Sequence, residues 1–211
     1  MHLTVIAKAP VAGRVKTRLC PPCTPRQAAD IAEAALADTL DAIVAQVAGS
    51  DIRPVLLLDG EPPAFVPDGF EVVKQRGDGL AQRLQNGFSD LGPGIIVGMD
   101  TPGAVAGLSA AWGPLGRDVD VLGLAIDGGY WVIGLSSTEA DFLAAVFDDV
   151  PMSTSQTGVH QLRRLHGLGR RVHMLASTRD LDTVDDLLAA ASAQRSGRLG
   201  EVLATVAASL P

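Results

Sequence analysis

The stretch Met1–Arg18, M-H-L-T-V-I-A-K-A-P-V-A-G-R-V-K-T-R, leads an apolar run directly into a segment rich in positive charge. The apolar run, Leu3–Ala7, predicts a β-strand. The segment that follows holds four basic residues within eleven positions: Lys8, Arg14, Lys16 and Arg18. Because a proline and a glycine interrupt it, we predict a shaped loop rather than one face of a helix.

A strand that opens into a glycine-containing basic loop is how many α/β proteins bind phosphates, because backbone N–H groups and cationic side chains contact the anion together. The loop has neither the Walker A pattern nor a G-x-G-x-x-G motif. We predict that it binds a nucleotide or another polyphosphate through Lys8, Gly13, Arg14, Lys16 and Arg18. In the alternative interpretation these cations are solvated, and Arg14 and Lys16 pair with nearby acids.

The composition narrows the class of protein. The 211 residues carry 17 basic and 24 acidic side chains, a net charge of −7. This length suits a single domain over residues 1–211. Negative charge argues against general nucleic-acid binding, which requires a broad basic surface. No apolar run approaches the roughly 20 residues of a membrane span, and no secretory signal is recognisable, so we expect a soluble cytoplasmic protein.

Strand and helix patterns alternate along the chain, which predicts a mostly parallel sheet with helices on both faces. A capping box, T-P-R-Q at residues 24–27, begins the first helix. The D-G-G sequence at residues 127–129 predicts a hairpin, so the sheet is expected to be mixed. After the first strand, the predicted strands cover residues 51–59, 70–74, 94–99, 119–126, 130–135 and 171–175. The predicted helices cover residues 25–48, 80–91, 104–112, 139–146, 184–193 and 200–209, and a further one runs to residue 166 after a capping box at Ser153–Gln156.

Acidic residues follow several of these strands: Asp100 in G-M-D-T-P, Asp127 in D-G-G-Y-W, and Asp180 and Asp182 in R-D-L-D-T-V-D-D. In open α/β sheets, ligands bind beyond the carboxyl ends of the strands, so these residues and the basic loop are expected to share one rim. Phosphates and carboxylates share a rim favourably when a hard cation bridges them. We therefore predict Mg²⁺ or Mn²⁺, with Asp100 and Asp182 as ligands.

The predicted catalytic residues are Lys16, Asp100 and Asp127, and Gln75 completes the predicted nucleotide-binding set. Each acid also has a structural interpretation. Asp100 could favour the N-terminal dipole of a helix, and Asp127 could serve only the hairpin turn. Asp182 is equally consistent with a helix cap, a role that Thr183 could also fill.

Two cysteines, Cys20 and Cys23, form the sequence C-P-P-C before the first predicted helix. A redox pair is often placed in this way. No second cysteine pair exists to complete a zinc site. We therefore interpret the two thiols as small apolar residues of a turn.

The order of these motifs resembles a bacterial transferase family known as arsenosugar-biosynthesis-type glycosyltransferases or selenodomain-associated transferases. The segments that carry the resemblance are A-K-A-P-V-A-G-R-V-K-T-R-L, G-M-D-T-P, D-G-G-Y-W-V-I-G-L, P-M-S-T and R-D-L-D-T-V-D-D-L. The resemblance implies the GT-A fold of the nucleotide-diphospho-sugar transferases. It also implies a nucleotide over the first half of the sheet, and a metal at Asp100 and Asp182. Two segments depart from the family pattern: Met152 replaces a tryptophan, and G-D-G-L-A-Q-R replaces G-D-L-G-x-R.

The reaction stays open between two kinds of transfer. The family label favours glycosyl transfer from a nucleotide sugar. However, Gly98 leaves Asp100 without the D-x-D pair that is common in such enzymes. A basic N-terminal loop with a single aspartate is similar to the superfamily's nucleotidyltransferases, and distantly to phospholactate guanylyltransferases. The residues therefore favour nucleotidyl transfer from an NTP to a phosphorylated small-molecule acceptor. A non-catalytic nucleotide-binding protein is the third alternative, and the sequence predicts no oligomeric state.

Overall fold

A computed structural model describes residues 1–179, 181, 183–193 and 197–209. Its strands are β1 (His2–Lys8), β2 (Arg53–Asp59), β3 (Glu71–Lys74), β4 (Gly94–Gly98), β5 (Asp120–Ala125), β6 (Tyr130–Leu135) and β7 (Val172–Thr178). Its α-helices are α1 (Pro25–Val47), α2 (Gly79–Leu91), α3 (Trp112–Leu115), α4 (Ala140–Val146), α5 (Thr157–Gly167), α6 (Val184–Ala193) and α7 (Gly197–Ser209). The predicted alternation of strands and helices is confirmed.

Within the described residues, the strands form one seven-stranded sheet in the order β3-β2-β1-β4-β6-β5-β7. Strand β6 is antiparallel to both neighbours, β4 and β5, and the other pairs are parallel. This is the mixed, mostly parallel sheet that the sequence predicts. Since six strands run in one direction, their carboxyl ends lie along one edge of the sheet.

Helices cover both faces of the sheet. On β4, Ile95 and Val97 are buried in the cluster that contains α1, whereas Ile96 is buried with α2, α4 and α5 on the opposite face. A continuous apolar run is expected of a central strand that is buried on both sides. A third apolar cluster joins the start of α1 to Leu187 and to α7. No helix within the described residues has the length and apolar character to cross a membrane.

The first helix begins as predicted. Thr24 N donates to Gln27 Oε1 at 2.8 Å, and Gln27 N donates to Thr24 Oγ1 at 3.3 Å, so the capping box is formed. Helix α6 begins with a similar reciprocal pair, in which Thr183 Oγ1 and the Asp186 carboxylate accept each other's backbone N–H. Thr183 therefore caps α6, whereas Asp182 and Asp180 lie outside the described residues.

Two predicted helices differ from the structure. The segment predicted as a helix over 104–112 is a 3-10 helix, Pro102–Ala110, followed by the single turn of α3. It contains Gly103 and Gly107, and each glycine costs an α-helix about 1 kcal/mol relative to alanine. The predicted cap at Ser153 is also wrong, because Ser153 has φ +60° and α5 begins four residues later.

Candidate functional site

A cleft of about 580 Å³ opens at the carboxyl ends of β1 and β4. Five of the six predicted nucleotide-binding residues line it, as does Asp100: the five are Lys8, Arg14, Lys16, Arg18 and Gln75. The structure thus brings together side chains from three separate parts of the sequence, as expected for the rim of an open α/β sheet. Lys8, Arg14 and Arg18 are exposed to solvent.

Gly13, the sixth predicted residue, shapes the loop but does not line the cleft. It has φ +78° in a turn where Arg14 N donates to Val11 O at 2.9 Å. A side chain rarely adopts this conformation. Gly13 therefore contributes to the site through the course of the backbone.

Lys16 is the most buried cation of the loop. It has a left-handed backbone, with φ 48° and ψ 34°, immediately before a 3-10 helix, Thr17–Leu19. Its side chain is only 6% exposed, and its Nζ lies 2.8 Å from Asp100 Oδ1 and donates to Leu181 O. Pairing of Lys16 with an acid, one of the two interpretations of the sequence, is thus observed. The acid is Asp100, itself predicted as a site residue.

Asp100 is partly open to the cleft, with 31% of its side chain exposed. Its Oδ1 atom is inaccessible and accepts no hydrogen bond of regular geometry from the described residues. The 2.8 Å contact with Lys16 is therefore an ion pair by distance and not a well-aligned hydrogen bond. The pair places one positive and one negative group side by side at the end of β4.

Arg83, which the site prediction omitted, also lines the cleft. Its Nη1 donates to Asp59 Oδ2 at 2.7 Å and to Gln75 Oε1 at 2.9 Å, and its Nε donates to Gly77 O at 3.3 Å. The hydrogen bond from Arg83 holds the pKa of Asp59 below its usual value. The sequence feature that could have identified Arg83 is its position at the end of G-D-G-L-A-Q-R, in the first turns of α2.

The D-G-G turn between β5 and β6 packs against protein backbone. Asp127 Oδ1 accepts a hydrogen bond from Gly129 N at 2.8 Å, and Gly158 N donates to Gly128 O at 2.8 Å. A Cβ on Gly128 would lie 2.0 Å from Ser155 O, at φ +94°. The glycine therefore permits close packing on the start of α5. Asp127 is exposed and does not line the cleft, and its catalytic role stays a prediction.

Tyr130, Trp131 and Ser153 form part of the lining on the β6 side and were not predicted. Ser153 has a left-handed backbone, and Thr157 Oγ1 fixes its loop by donating to Pro151 O at 2.6 Å. Burial raises the pKa of the Tyr130 phenol, so the phenol is neutral at physiological pH. No local sequence pattern identifies a serine that adopts this conformation.

Among the described residues, no three His, Cys, Asp or Glu side chains lie close enough together to hold a metal ion. Mg²⁺, however, needs only one or two protein carboxylates when phosphates and waters supply the other ligands. Asp100 lines the cleft with a partly exposed carboxylate, whose inaccessible Oδ1 lies against Lys16. It fits such an ion, while Asp182, the second predicted ligand, lies outside the described residues.

Two solved structures share this fold. A Desulfovibrio desulfuricans G20 protein, provisionally assigned as a nucleotide-diphospho-sugar transferase, matches 98% of this chain and 95% of its own, with a TM-score of 0.78 and 20% identity. A cytidylyltransferase from Leptospira borgpetersenii serovar Hardjo-bovis (strain JB197) matches 99% of this chain and 94% of its own, with a TM-score of 0.52 and 13% identity. These likenesses confirm the predicted α/β fold of the nucleotide-diphospho-sugar transferase type.

The sequence comparisons show a family, but not the particular transferase family that the motifs resemble. No curated protein matches the sequence. The family model described as "Uncharacterized protein conserved in bacteria (DUF2064)" matches residues 37–154, more than half of the chain. The chain belongs to the DUF2064 family.

Proposed function

We propose that the protein is a metal-dependent transferase that transfers a nucleotidyl group from an NTP to a phosphorylated small-molecule acceptor. One observation carries the proposal. Five cationic side chains line one cleft of a protein whose net charge is −7, and they are Lys8, Arg14, Lys16, Arg18 and Arg83. Cations concentrated in a cleft attract and orient a polyphosphate, and charge-assisted hydrogen bonds to phosphate are among the strongest in proteins.

In this proposal the basic loop holds the phosphates of the nucleotide. The exposed side chains of Lys8, Arg14 and Arg18 contact the outer oxygens, and the buried ammonium of Lys16 donates to the leaving pyrophosphate. The acceptor's phosphate oxygen attacks the α-phosphorus, and the bond from that phosphorus to pyrophosphate breaks. A divalent ion on Asp100 would polarise the phosphoryl group. The buried Lys16 is preorganised, so it needs little reorganisation when charge develops.

Glycosyl transfer from a nucleotide sugar remains the alternative, because the same cations would hold the diphosphate of such a donor. Of the two proteins that share the fold, one is described as a nucleotide-diphospho-sugar transferase and the other as a cytidylyltransferase, so their names do not decide between the two reactions. Gly98 before Asp100 favours nucleotidyl transfer, since the D-x-D pair of many glycosyltransferases is missing. We also propose that the chain is related to the arsenosugar-biosynthesis-type transferases, which its motifs resemble.

Product analysis tests the reaction. The protein is incubated with each of the four common NTPs and a set of sugar phosphates, with Mn²⁺ or Mg²⁺, and pyrophosphate is measured. Pyrophosphate that depends on the acceptor supports nucleotidyl transfer. In a parallel incubation with nucleotide sugars, release of free nucleoside diphosphate would instead support the glycosyl alternative. Nucleotide binding without either product would indicate a non-catalytic binding protein.

A separate titration tests the metal. Nucleotide affinity is measured with and without Mn²⁺ for the wild type, for Asp100→Asn, and for Asp90→Asn as a control at a surface ion pair with Arg76. We expect Mn²⁺ to raise the affinity of the wild type and of Asp90→Asn, and Asp100→Asn to lose most of the gain while its metal-free affinity stays similar or rises. Asp182→Asn is expected to lose less. Wild-type affinity that ignores the metal would contradict the metal-bridged site.

A further inference from the structure

We propose that Arg83 donates a hydrogen bond to a phosphate oxygen of the ligand in the cleft, and that Asp59 and Gln75 position its guanidinium for this contact. The inference rests on the proposed function in one respect, namely that a phosphate-bearing ligand occupies the cleft. It assigns a phosphate contact to helix α2, in a site whose other polar groups come from the N-terminal loop, Gln75 and Asp100.

The hydrogen bonds of Arg83 leave one end of its guanidinium for a ligand. The group has five N–H donors in a rigid fork. Its Nη1 and Nε are used by Asp59, Gln75 and Gly77, but its Nη2 donates to none of the described side chains or backbone oxygens. The side chain is 26% exposed and lines the cleft. Two N–H donors of a held guanidinium are therefore available there.

The partners of Arg83 are themselves fixed to the sheet. Asp59 is the last residue of β2. The amide nitrogen of Gln75 donates to Ala7 O at 2.7 Å and to Leu57 O at 2.9 Å, which anchors it to the ends of β1 and β2. Its oxygen must then face Arg83, as the 2.9 Å hydrogen bond shows. A binding group held by such partners keeps its geometry, which is what recognition of a phosphate requires.

The charge around Asp59 supports an anionic ligand. Besides the hydrogen bond from Arg83, the positive charges of Arg83, Lys8 and Arg14 all lower the pKa of this carboxyl. One carboxylate thus lies among three cations that line the same cleft. A single negative charge cannot balance three positive ones, so the group attracts a further anion.

The test measures affinity for three phosphate compounds by calorimetry: inorganic pyrophosphate, an NTP and a sugar phosphate. The variants are Arg83→Ala, Arg83→Lys and, as a control, Arg76→Ala. Arg76 precedes the same helix, but it pairs with Asp90 at 2.6 Å, is 57% exposed and does not line the cleft. Loss of one positive charge is therefore matched between the two alanine variants.

We expect Arg83→Ala to weaken at least one of the three ligands about tenfold or more, and Arg76→Ala to change none by more than twofold. Arg83→Lys keeps the charge without the fork, so its affinity should be intermediate. Weakening of the NTP and pyrophosphate assigns the contact to the nucleotide, and weakening of the sugar phosphate alone assigns it to the acceptor. Equal affinities for Arg83→Ala and Arg76→Ala would overturn the proposal.

Positioning by Asp59 is tested by two further variants. Asp59→Ala removes the acceptor of the 2.7 Å bond and should weaken the same ligand, whereas Asp59→Asn retains an acceptor and should restore most of the affinity. Urea unfolding without ligand separates this effect from a loss of stability. Equal losses in the alanine and asparagine variants would contradict positioning. If the wild type binds pyrophosphate but no nucleotide, the proposed function fails while Arg83 can still be tested.

Discussion

Two ion pairs lie at opposite edges of the sheet, and they differ in how completely their charges are satisfied by hydrogen bonds. At the amino end of β5, Asp120 is fully buried and accepts from Ser136 N, Ser136 Oγ and two nitrogens of Arg170 at 2.8–3.1 Å. The guanidinium of Arg170 also lies 5.1 Å over the ring of Phe142. At the carboxyl edge, Asp100 is 31% exposed and meets Lys16 by charge alone.

The difference separates a structural pair from one that can respond to a ligand. Each oxygen of Asp120 accepts hydrogen bonds from within the protein. Such a saturated pair has no carboxylate oxygen left to contact a ligand. The Lys16–Asp100 pair faces an open cleft lined by further cations. We therefore expect a ligand at the incompletely paired Lys16–Asp100 site and none at the Asp120–Arg170 pair.

The largest effect is expected at the saturated pair. Asp120→Asn leaves the Arg170 charge without its buried partner and should lower the free energy of unfolding by about 3–5 kcal/mol. Urea unfolding measures this loss. Asp118→Asn is the control, because Asp118 contacts the same Arg170 at 2.9 Å but is 70% exposed, and it should change stability little. Equal effects of the two substitutions would remove the distinction between saturated and exposed partners.

A second effect at the same edge depends on pH. Burial lowers the pKa of His2 from 6.5 to about 4, and its ring hydrogen bonds to Thr4 Oγ1 and Gly92 O. Between pH 6.5 and 4, His2 is protonated in the unfolded chain but stays neutral in the folded protein. The free energy of unfolding should therefore fall by about 3 kcal/mol as the pH is lowered from 6.5 to 4. Urea unfolding at several pH values, for the wild type and His2→Gln, isolates this contribution. The variant should show a flatter profile, and identical profiles would contradict it.

At the cleft, the expected effect is on binding. Lys16→Ala should weaken nucleotide binding by about 1.5–3 kcal/mol, the usual loss for a charge-assisted hydrogen bond. Its free energy of unfolding should fall less than that of Asp120→Asn, because Asp100 can be solvated. Arg18→Ala should act in the same direction on affinity. Calorimetry on the folded variants checks both, and unchanged affinity in Lys16→Ala would rule out the phosphate-binding loop.

The smallest effect is expected next to the loop. Cys23 is buried with Leu19 and Ile31, and burial raises the pKa of its thiol, which disfavours the reactive thiolate. The double substitution Cys20→Ala, Cys23→Ala should leave nucleotide affinity and turnover unchanged. Loss of either in a folded protein would assign the thiols a redox or metal role.

The parts of the structure that the sequence predicted depend on local periodicity and on one rule of topology. The alternating strands and helices, the cap at Thr24 and the D-G-G hairpin each follow from a few adjacent residues. Convergence of the basic loop, Gln75 and Asp100 follows because parallel strands end at one edge of the sheet.

The parts that were missed depend on contacts between distant segments. Lys16 looks like an exposed loop residue, but its amine is buried between Asp100 and Leu181. The orientation of Arg83 is set by Asp59 and Gln75, 24 and 8 residues away. The left-handed conformation of Ser153 is fixed by a loop that packs beneath the hairpin turn. No pattern within one segment contains this information.

The reversed direction of β6 makes the cleft sensitive to insertions at one place. Arg14, Arg18 and Asp100 follow the ends of β1 and β4, where an extra residue can bulge into solvent. Tyr130 and Trp131 instead begin their strand, directly after the turn that packs on Ser155. A one-residue insertion that shifted β6 would move Val132 and Ile133 each to the face of the sheet that the other occupies now. The length of the Ile126–Gly129 turn is therefore under a stricter constraint than that of the loop around Gly13.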